Sequence, residues 1–95
     1  MNIQGQSALV TGGGSGLGEA TAHELARLGA KVAVLDMNPA NADKVAADIN
    51  AAHGPGRAVA CPCDITNTES LQAAIAQAAA AQGPARILMS IAGIG

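Results

Sequence analysis

Four short, nearly continuous apolar segments alternate along this chain with three longer stretches in which apolar residues recur every three or four positions. Continuous apolar runs of this length are typical of parallel strands covered on both faces, and the longer period is that of helices. The predicted strands are residues 7–10, 31–35, 57–61 and 86–91. The three intervening helices are predicted to end at Gly29, Gly54 and Gly83.

The starts of the helices are marked with different clarity. The first helix is expected to cover residues 19–28. Asn38 is a preferred N-cap residue, and Pro39 follows it at the first helical position of the second helix. Thr66 and Glu69 have the spacing of a capping box, so we expect the third helix to begin there.

The apolar spacing also predicts which face of each helix packs on the sheet. In the first helix these residues are Leu17, Ala20, Thr21, Leu25 and Leu28. In the second and third helices they are Ala42, Val45, Ala46 and Ile49, and then Leu71, Ile75 and Ala78. Glu19, His23 and Arg27 lie four residues apart on the other face of the first helix, and we interpret them as solvated side chains rather than a catalytic set.

The alternation of strands and helices predicts an α/β fold with the order βαβαβαβ. Such an order gives a parallel sheet with right-handed crossovers. In the Rossmann arrangement the strands would lie in the order 3-2-1-4, with the switch point between the first and fourth strands. We therefore expect residues 1–95 to form the N-terminal part of a dinucleotide-binding Rossmann domain, with a truncated sheet.

A glycine-rich turn, TGGGSGLG at residues 11–18, joins the first strand to the first helix. A strand, a glycine turn and a helix in this order direct backbone N–H groups and a positive helix end at one point, which predicts an anion site. Gly13 and Gly18 have the spacing of an ATPase phosphate loop, but Glu19 stands where that loop needs lysine. The pattern G-x-G-x-x-G is also absent.

The spacing that does fit is T-G-x-x-x-G-x-G, with Gly12, Gly16 and Gly18, and it resembles the short-chain dehydrogenase/reductase family. In such a turn Gly12 reverses the chain, Gly16 lets the backbone approach a pyrophosphate, and Gly18 lets helix and strand pack closely. The alternative is a glycine turn that holds no ligand.

Asp36 ends the second strand, eighteen residues beyond Gly18, where an acidic residue reads the ribose in dinucleotide folds. A carboxylate at this position accepts hydrogen bonds from the ribose hydroxyls and repels a 2′-phosphate. Ser15 and Met37 offer no positive charge nearby, so the sequence favours NAD over NADP. The alternative is a loop aspartate that caps its own backbone.

The family resemblance implies further contacts with the cofactor. Asp64 and Ile65 match the Asp-aliphatic pair that contacts adenine, while Ser15 and Leu17 would lie over the adenosine ribose and pyrophosphate. The family's N-N-A-G signature appears as SIAG at residues 90–93, with both asparagines replaced. The implied cofactor set is Gly12, Ser15, Gly16, Leu17, Gly18, Asp36, Asp64, Ile65, Ile91, Ala92 and Gly93.

Composition narrows the functional classes. Hydrophobic residues make up 49% of the chain, but many are alanine and none is aromatic, so the core is expected to be thin. A net charge of −2 without a basic patch argues against nucleic-acid binding.

Cys61 and Cys63 fit neither a C-x-x-C motif nor a zinc framework, and we expect reduced thiols on one face of a strand. The sequence shows no signal peptide or membrane span, which favours the cytoplasm.

The resemblance also implies what these residues lack. Members of the family transfer hydride with a tyrosine and a lysine four residues apart, and this chain has no tyrosine. Lys31 and Lys44 lie at a strand start and on a helix face. We therefore expect no catalytic residue and no metal site here, and no activity from these 95 residues alone.

The favoured hypothesis is the cofactor-binding part of an NAD-dependent oxidoreductase that interconverts a hydroxyl and a carbonyl on a small molecule. Residues 8–12 and 92–95 most resemble bacterial relatives of type 2 3-hydroxyacyl-CoA dehydrogenase. We expect the parent to be a homo-oligomer.

A non-catalytic dinucleotide-binding module and a fragment that binds nothing are the alternatives. Because the sequence stops directly after a predicted buried strand, a truncated enzyme is favoured over both. Left at the sheet edge, residues 87–91 are expected to make the isolated chain associate.

Overall fold

Strands and helices alternate in the computed structural model, which describes residues 4–12, 16–64 and 66–90. The elements are β1 (Ser7–Thr11), α1 (Gly16–Arg27), β2 (Lys31–Asp36), α2 (Pro39–His53), β3 (Ala58–Pro62), α3 (Thr68–Gln82) and β4 (Ala85–Ser90). Each strand lies within one residue of its predicted bounds wherever the chain is described. Helix α1 begins three residues earlier than predicted, inside the glycine-rich turn.

The four strands form one parallel sheet in the order β3-β2-β1-β4, which confirms the predicted topology. At the carboxyl end of β1, Thr11 pairs with Leu35 of β2 on one side and with Ser90 of β4 on the other. The chain leaves β1 toward β2 and returns to its other side as β4. This reversal places the topological switch point at the carboxyl ends of β1 and β4, where sheets of this kind bind ligands.

The core has one layer on each face of the sheet, because successive residues of a strand point to opposite faces. Helices α1 and α2 cover one layer, in which the buried strand residues are Val10, Val32, Val34 and Ala58. Helix α3 covers the other layer, in which the buried strand residues include Leu9, Ala33, Leu35 and Cys61. Cys61 and Cys63 are both buried in this second layer as free thiols, as predicted, although Cys63 lies just beyond the end of β3 and not within the strand.

Helix α2 follows its sequence prediction closely. The Asn38 side chain caps it by accepting hydrogen bonds from the N–H groups of Ala40 at 3.0 Å and Asn41 at 3.2 Å. Its buried residues are the predicted ones: Ala42, Val45, Ala46 and Ile49.

The predicted face of α1 is mostly wrong. Leu17, Ala20 and Leu28 are exposed and Thr21 is only partly buried, whereas Leu25 is partly buried and packs against the core as predicted. The residues that pack inward are Gly18, Ala22 and Ala26. Small side chains bring this helix close to the sheet, so the large apolar residues at its two ends do not define its packed face. Glu19 and His23, interpreted as fully solvated, are consequently half-buried.

The predicted start of α3 is also wrong. Asn67, not Thr66, is the N-cap, and its side-chain oxygen accepts a hydrogen bond from the Ser70 N–H at 3.0 Å. The buried residues of the helix are Ala74, Ala78 and Gln82. Leu71 is partly buried as expected, whereas Ile75 is exposed. None of the helices in the described part of the chain is both long enough and apolar enough to cross a membrane.

Candidate dinucleotide site

The turn after β1 is held against the neighbouring strand. Gly12 has a φ of 70°, a backbone conformation that favours glycine, and its N–H donates to the Leu35 carbonyl oxygen at 2.7 Å. Residues 13–15, including the predicted site residue Ser15, lie outside the described residues. The chain thus leaves the carboxyl end of β1 and enters α1 after a short turn at the switch point.

The N-terminus of α1 faces this end of the sheet. The first N–H groups of a helix have no intrahelical acceptor, and the helix dipole makes this end attractive to anions. A Cβ atom added at Gly16 would meet no atom of the described residues within 4 Å, so their packing does not require glycine there. Gly18, in contrast, is buried, in agreement with a close-packing role.

Leu17 lies between these two glycines with 61% of its surface exposed. The sequence predicts both that it faces the sheet and that it covers a cofactor, and its exposure excludes the first role. Single exposed leucines are ordinary on protein surfaces, so the exposure shows only that this side chain is available to cover a bound molecule.

Asp36 lies at the carboxyl end of β2, next to the turn. Its Oδ1 accepts a hydrogen bond from the Asn38 N–H at 2.8 Å, so the local capping role weighed for this residue is present. A carboxylate has two oxygens with about four acceptor positions, so this bond and contacts to a ribose are compatible. The Asp36 carbonyl oxygen also accepts from the Cys63 N–H at 3.0 Å, which ties the ends of β2 and β3 together.

Asp64 follows the end of β3 and is held by its own loop. Its Oδ1 accepts from the Thr66 hydroxyl at 2.6 Å and from the Thr66 N–H at 2.9 Å. These two hydrogen bonds lower the pKa of the Asp64 carboxyl below its ordinary value. The Asp64 N–H donates to the Ser70 hydroxyl at 3.0 Å. Thr66, predicted to cap α3, instead fixes the orientation of an ionised carboxylate.

The thiols of Cys61 and Cys63, near Asp36 and Asp64, are unreactive. Burial raises the pKa of both thiols, and the carboxylates of Asp36 and Asp64 raise the pKa of Cys63 further. Thiols with raised pKa values are protonated at neutral pH and are poor nucleophiles. Cys61 and Cys63 therefore serve as small apolar side chains below the site.

The structure brings six of the predicted site residues to one edge of the sheet: Gly12, Gly16, Leu17, Gly18, Asp36 and Asp64. The other five lie outside the described residues: Ser15, Ile65, Ile91, Ala92 and Gly93. On the β4 side the described contact is a hydrogen bond of 3.4 Å from the Thr11 hydroxyl to the Met89 carbonyl oxygen.

Met37 is the residue at this edge whose position the sequence did not reveal. From the sequence it mattered only for carrying no charge. In the structure it directly follows Asp36 with 62% of its surface exposed. The available signal was a large apolar residue in an otherwise polar loop immediately after a strand.

Comparison with known proteins agrees with this geometry. The family model for short chain dehydrogenase matches residues 6–95. The chain is 42% identical, over 92% of its length, to the uncharacterized oxidoreductase YuxG of Bacillus subtilis, of which it covers 13%. It is 39% identical, over 97% of its length, to D-threitol dehydrogenase of Mycolicibacterium smegmatis, of which it covers 35%.

Solved structures show the same fold. A hydroxysteroid dehydrogenase from Escherichia coli matches with a TM-score of 0.87 and 36% identity, covering 94% of this chain and 37% of that one. A 3-ketoacyl-(acyl-carrier-protein) reductase from Brucella melitensis, complexed with NADH, matches with a TM-score of 0.83 and 37% identity, covering 90% of this chain and 34% of that one.

The chain spans about a third of the length of three of these four proteins, and less of YuxG. Their names describe varied dehydrogenases and a reductase, so the expected closeness to type 2 3-hydroxyacyl-CoA dehydrogenases stays a prediction. The family model covers nearly every residue of the chain, and the fold and glycine turn agree with it. This chain belongs to the short-chain dehydrogenase family.

Proposed function

We propose that this chain forms the NAD-binding part of an oxidoreductase that interconverts a hydroxyl and a carbonyl on a small-molecule substrate. The observation that carries the proposal is the meeting of the glycine turn, the α1 N-terminus and Asp36 at one edge of the parallel sheet. The bound cofactor would supply or accept the hydride. The residues described here would hold and orient it.

The N-terminus of α1 is the proposed site of the pyrophosphate. Its N–H groups and dipole favour an anion, and the open space beside Gly16 leaves room for close approach of the backbone. The exposed side chains of Leu17 and Met37 would cover apolar parts of the adenosine. Ser15 and the Asp64–Ile65 pair, carried over from the family resemblance, complete the adenosine end of the proposal.

Asp36 is the proposed reader of the ribose. A carboxylate accepts hydrogen bonds from the two ribose hydroxyls of NAD, whereas the 2′-phosphate of NADP would place a second negative charge against it. This repulsion supports NAD over NADP. At the far end, Ile91, Ala92 and Gly93 are proposed to lie near the nicotinamide ribose, at the end of β4.

Proton transfer would come from elsewhere in the protein. The chain contains no tyrosine, so it lacks the residue that exchanges the substrate proton in the family. We propose that this group belongs to a part of the enzyme outside these 95 residues, which alone would be inactive. The dehydrogenases and the reductase among the relatives support an enzyme over a non-catalytic binding module. A 3-hydroxyacyl-CoA substrate and a homo-oligomeric state are narrower proposals from the sequence resemblance.

Calorimetric titration of NADH and NADPH into the intact protein tests the cofactor assignment. We expect NADH to bind more tightly. Asp36→Ala should weaken NADH binding and narrow the difference between the two cofactors, while Asp43→Ala, an exposed aspartate on α2, should change neither. Equal affinity of the unmodified protein for both cofactors would contradict the role of Asp36. Turnover with NAD and a panel of alcohols, including a 3-hydroxyacyl-CoA, tests the enzymatic proposal.

A further inference from the structure

Away from the dinucleotide site, three side chains with metal-binding chemistry converge between α1 and α2. Glu19 and His23 lie one turn apart on α1, and Asp48 faces them from α2. One potential ligand atom from each lies within 4.8 Å of the other two. Glu19 and His23 are half-buried, and Asp48 is exposed.

The chemistry of this set favours a particular class of cation. Mg²⁺ and Ca²⁺ prefer oxygen ligands alone, whereas an imidazole nitrogen with carboxylate oxygens suits zinc and its first-row neighbours. Ligand atoms around a tetrahedral Zn²⁺ lie about 3.4 Å apart, given metal–ligand distances of about 2.1 Å. Small side-chain rotations would close the present separations to that value.

The Lys44 ammonium competes for the same two carboxylates. Its Nζ lies 3.1 Å from Asp48 Oδ2 and 3.9 Å from Glu19 Oε1. The bond to Asp48 and the charges of Asp48 and Glu19 raise the pKa of Lys44, so it is a cation at neutral pH. Two-thirds of the Lys44 side chain is exposed, and it can swing into solvent when another cation approaches.

We propose that Glu19, His23 and Asp48 form a Zn²⁺-type site that bridges α1 and α2, with Lys44 as a competing internal cation. Water would complete the coordination, as in zinc sites with three protein ligands. Glu19 directly follows Gly18, so a bound metal would fix α1 to α2 immediately beside the glycine-rich turn. The proposal is independent of the cofactor assignment.

Titration of Zn²⁺ from a chelator buffer into the intact protein, without cofactor, tests the site. We expect a saturable zinc-binding event that is lost in His23→Ala and retained in His53→Ala, the chain's other histidine. Asp48→Asn should lose it as well, while Asp43→Asn should retain it. Mg²⁺ should not compete.

Lys44 provides a second test of the zinc site. Non-specific binding of zinc to surface carboxylates would not give the result expected from it. Lys44→Met should strengthen zinc binding by about fivefold, because zinc would no longer have to displace an ammonium from a carboxylate about 4 Å away in water. Lys31→Met should leave zinc binding unchanged. Absence of zinc binding in both the unmodified protein and Lys44→Met would overturn the proposal. Unchanged binding in His23→Ala would overturn it too.

Discussion

Strands β2 and β4 both pair with β1 in parallel, but Leu35 of β2 is completely buried whereas Leu88 of β4 leaves 64% of its surface exposed. Both strands are apolar. Strand β2 has β3 along its other edge and helices on both faces, while within the described residues β4 is bordered by β1 alone.

This difference shows that burial of an apolar strand is decided by its neighbours in the sheet. The same difference separates the candidate site into residues on the β2 side of β1 and residues on the β4 side. On the side of β1 where β2 and β3 lie, the strands that lead to Asp36 and Asp64 belong to a packed core, and these two residues would hold the proposed adenosine end. The β4 side ends at Ser90, and the site residues predicted beyond it are outside the described range.

The largest expected contrast is in stability. In the 95-residue chain, Leu35→Ala should lower the free energy of unfolding by about 2–5 kcal/mol, because it leaves a cavity in a packed layer. Leu88→Ala, the same change on the edge strand β4, should alter it by no more than about 0.5 kcal/mol at concentrations low enough for the chain to be monomeric. Denaturant unfolding followed by circular dichroism measures both. Equal losses would mean that the two sides of β1 are equally packed.

Gly16→Val tests the proposed pyrophosphate site without changing a residue of the packed core on the β2 side of β1. The added Cβ would meet no atom of the described part of the chain within 4 Å, but the side chain would occupy the space proposed for the pyrophosphate. We expect NADH affinity in the intact protein to fall by about a hundredfold, or about 2.8 kcal/mol, with unchanged helix content. Ala20→Val, on the exposed surface of the same helix, is the control. Normal NADH binding by Gly16→Val would rule out this register of the turn.

The exposed edge strand β4 should cause the isolated chain to self-associate. Leu88 and Met89 are exposed on an edge strand whose unpaired backbone groups can pair with a second strand. We expect Leu88→Lys to weaken association by roughly tenfold, because lysine disfavours edge pairing. Leu28→Lys, at an exposed leucine directly after α1, should leave it unchanged. Sedimentation velocity distinguishes these results, and a monomeric unmodified chain would disprove the edge contact.

The smallest expected effect concerns Asp64. Thr66→Ala removes the hydroxyl hydrogen bond and should raise the pKa of the Asp64 carboxyl toward its ordinary value. Because the folded-state pKa is lowered, this carboxyl stabilises the fold above its unfolded pKa, and the contribution is lost as pH falls through the folded-state value. A carboxyl NMR titration measures the shift, with Thr68→Ala as the control. An unchanged pKa in Thr66→Ala would assign the shift to another group.

The sequence predicts the topology well because strands and turns carry strong local signals. The packed face of α2 is correct because Val45 and Ile49 are large, buried and correctly spaced. The predicted face of α1 is mostly wrong, and in α3 Leu71 and Ala78 pack inward as predicted while Ile75 does not. Alanines such as Ala22 and Ala74 make the contacts, and small residues repeat on every side of these helices.

Site residues at strand ends, such as Asp36, are predictable because parallel strands bring their carboxyl ends to one edge. The cap of α3 is not, since Thr66 and Asn67 are adjacent and both are suitable N-cap residues. Their choice depends on Asp64, which engages Thr66. The grouping of Glu19, His23 and Asp48 depends on how α1 packs against α2, which apolar spacing alone does not provide.

An NMR titration of NADH into the isotope-labelled intact protein tests the central claim most directly. The proposed site predicts that the amide signals of Gly12, Gly16 and Asp36, at the carboxyl edge of the sheet, shift together as NADH is added. The amides of Ser7 and Lys31, at the opposite edge, should stay in place. Shifts concentrated at the Ser7 edge, or saturable binding that leaves the glycine turn unchanged, would contradict the account.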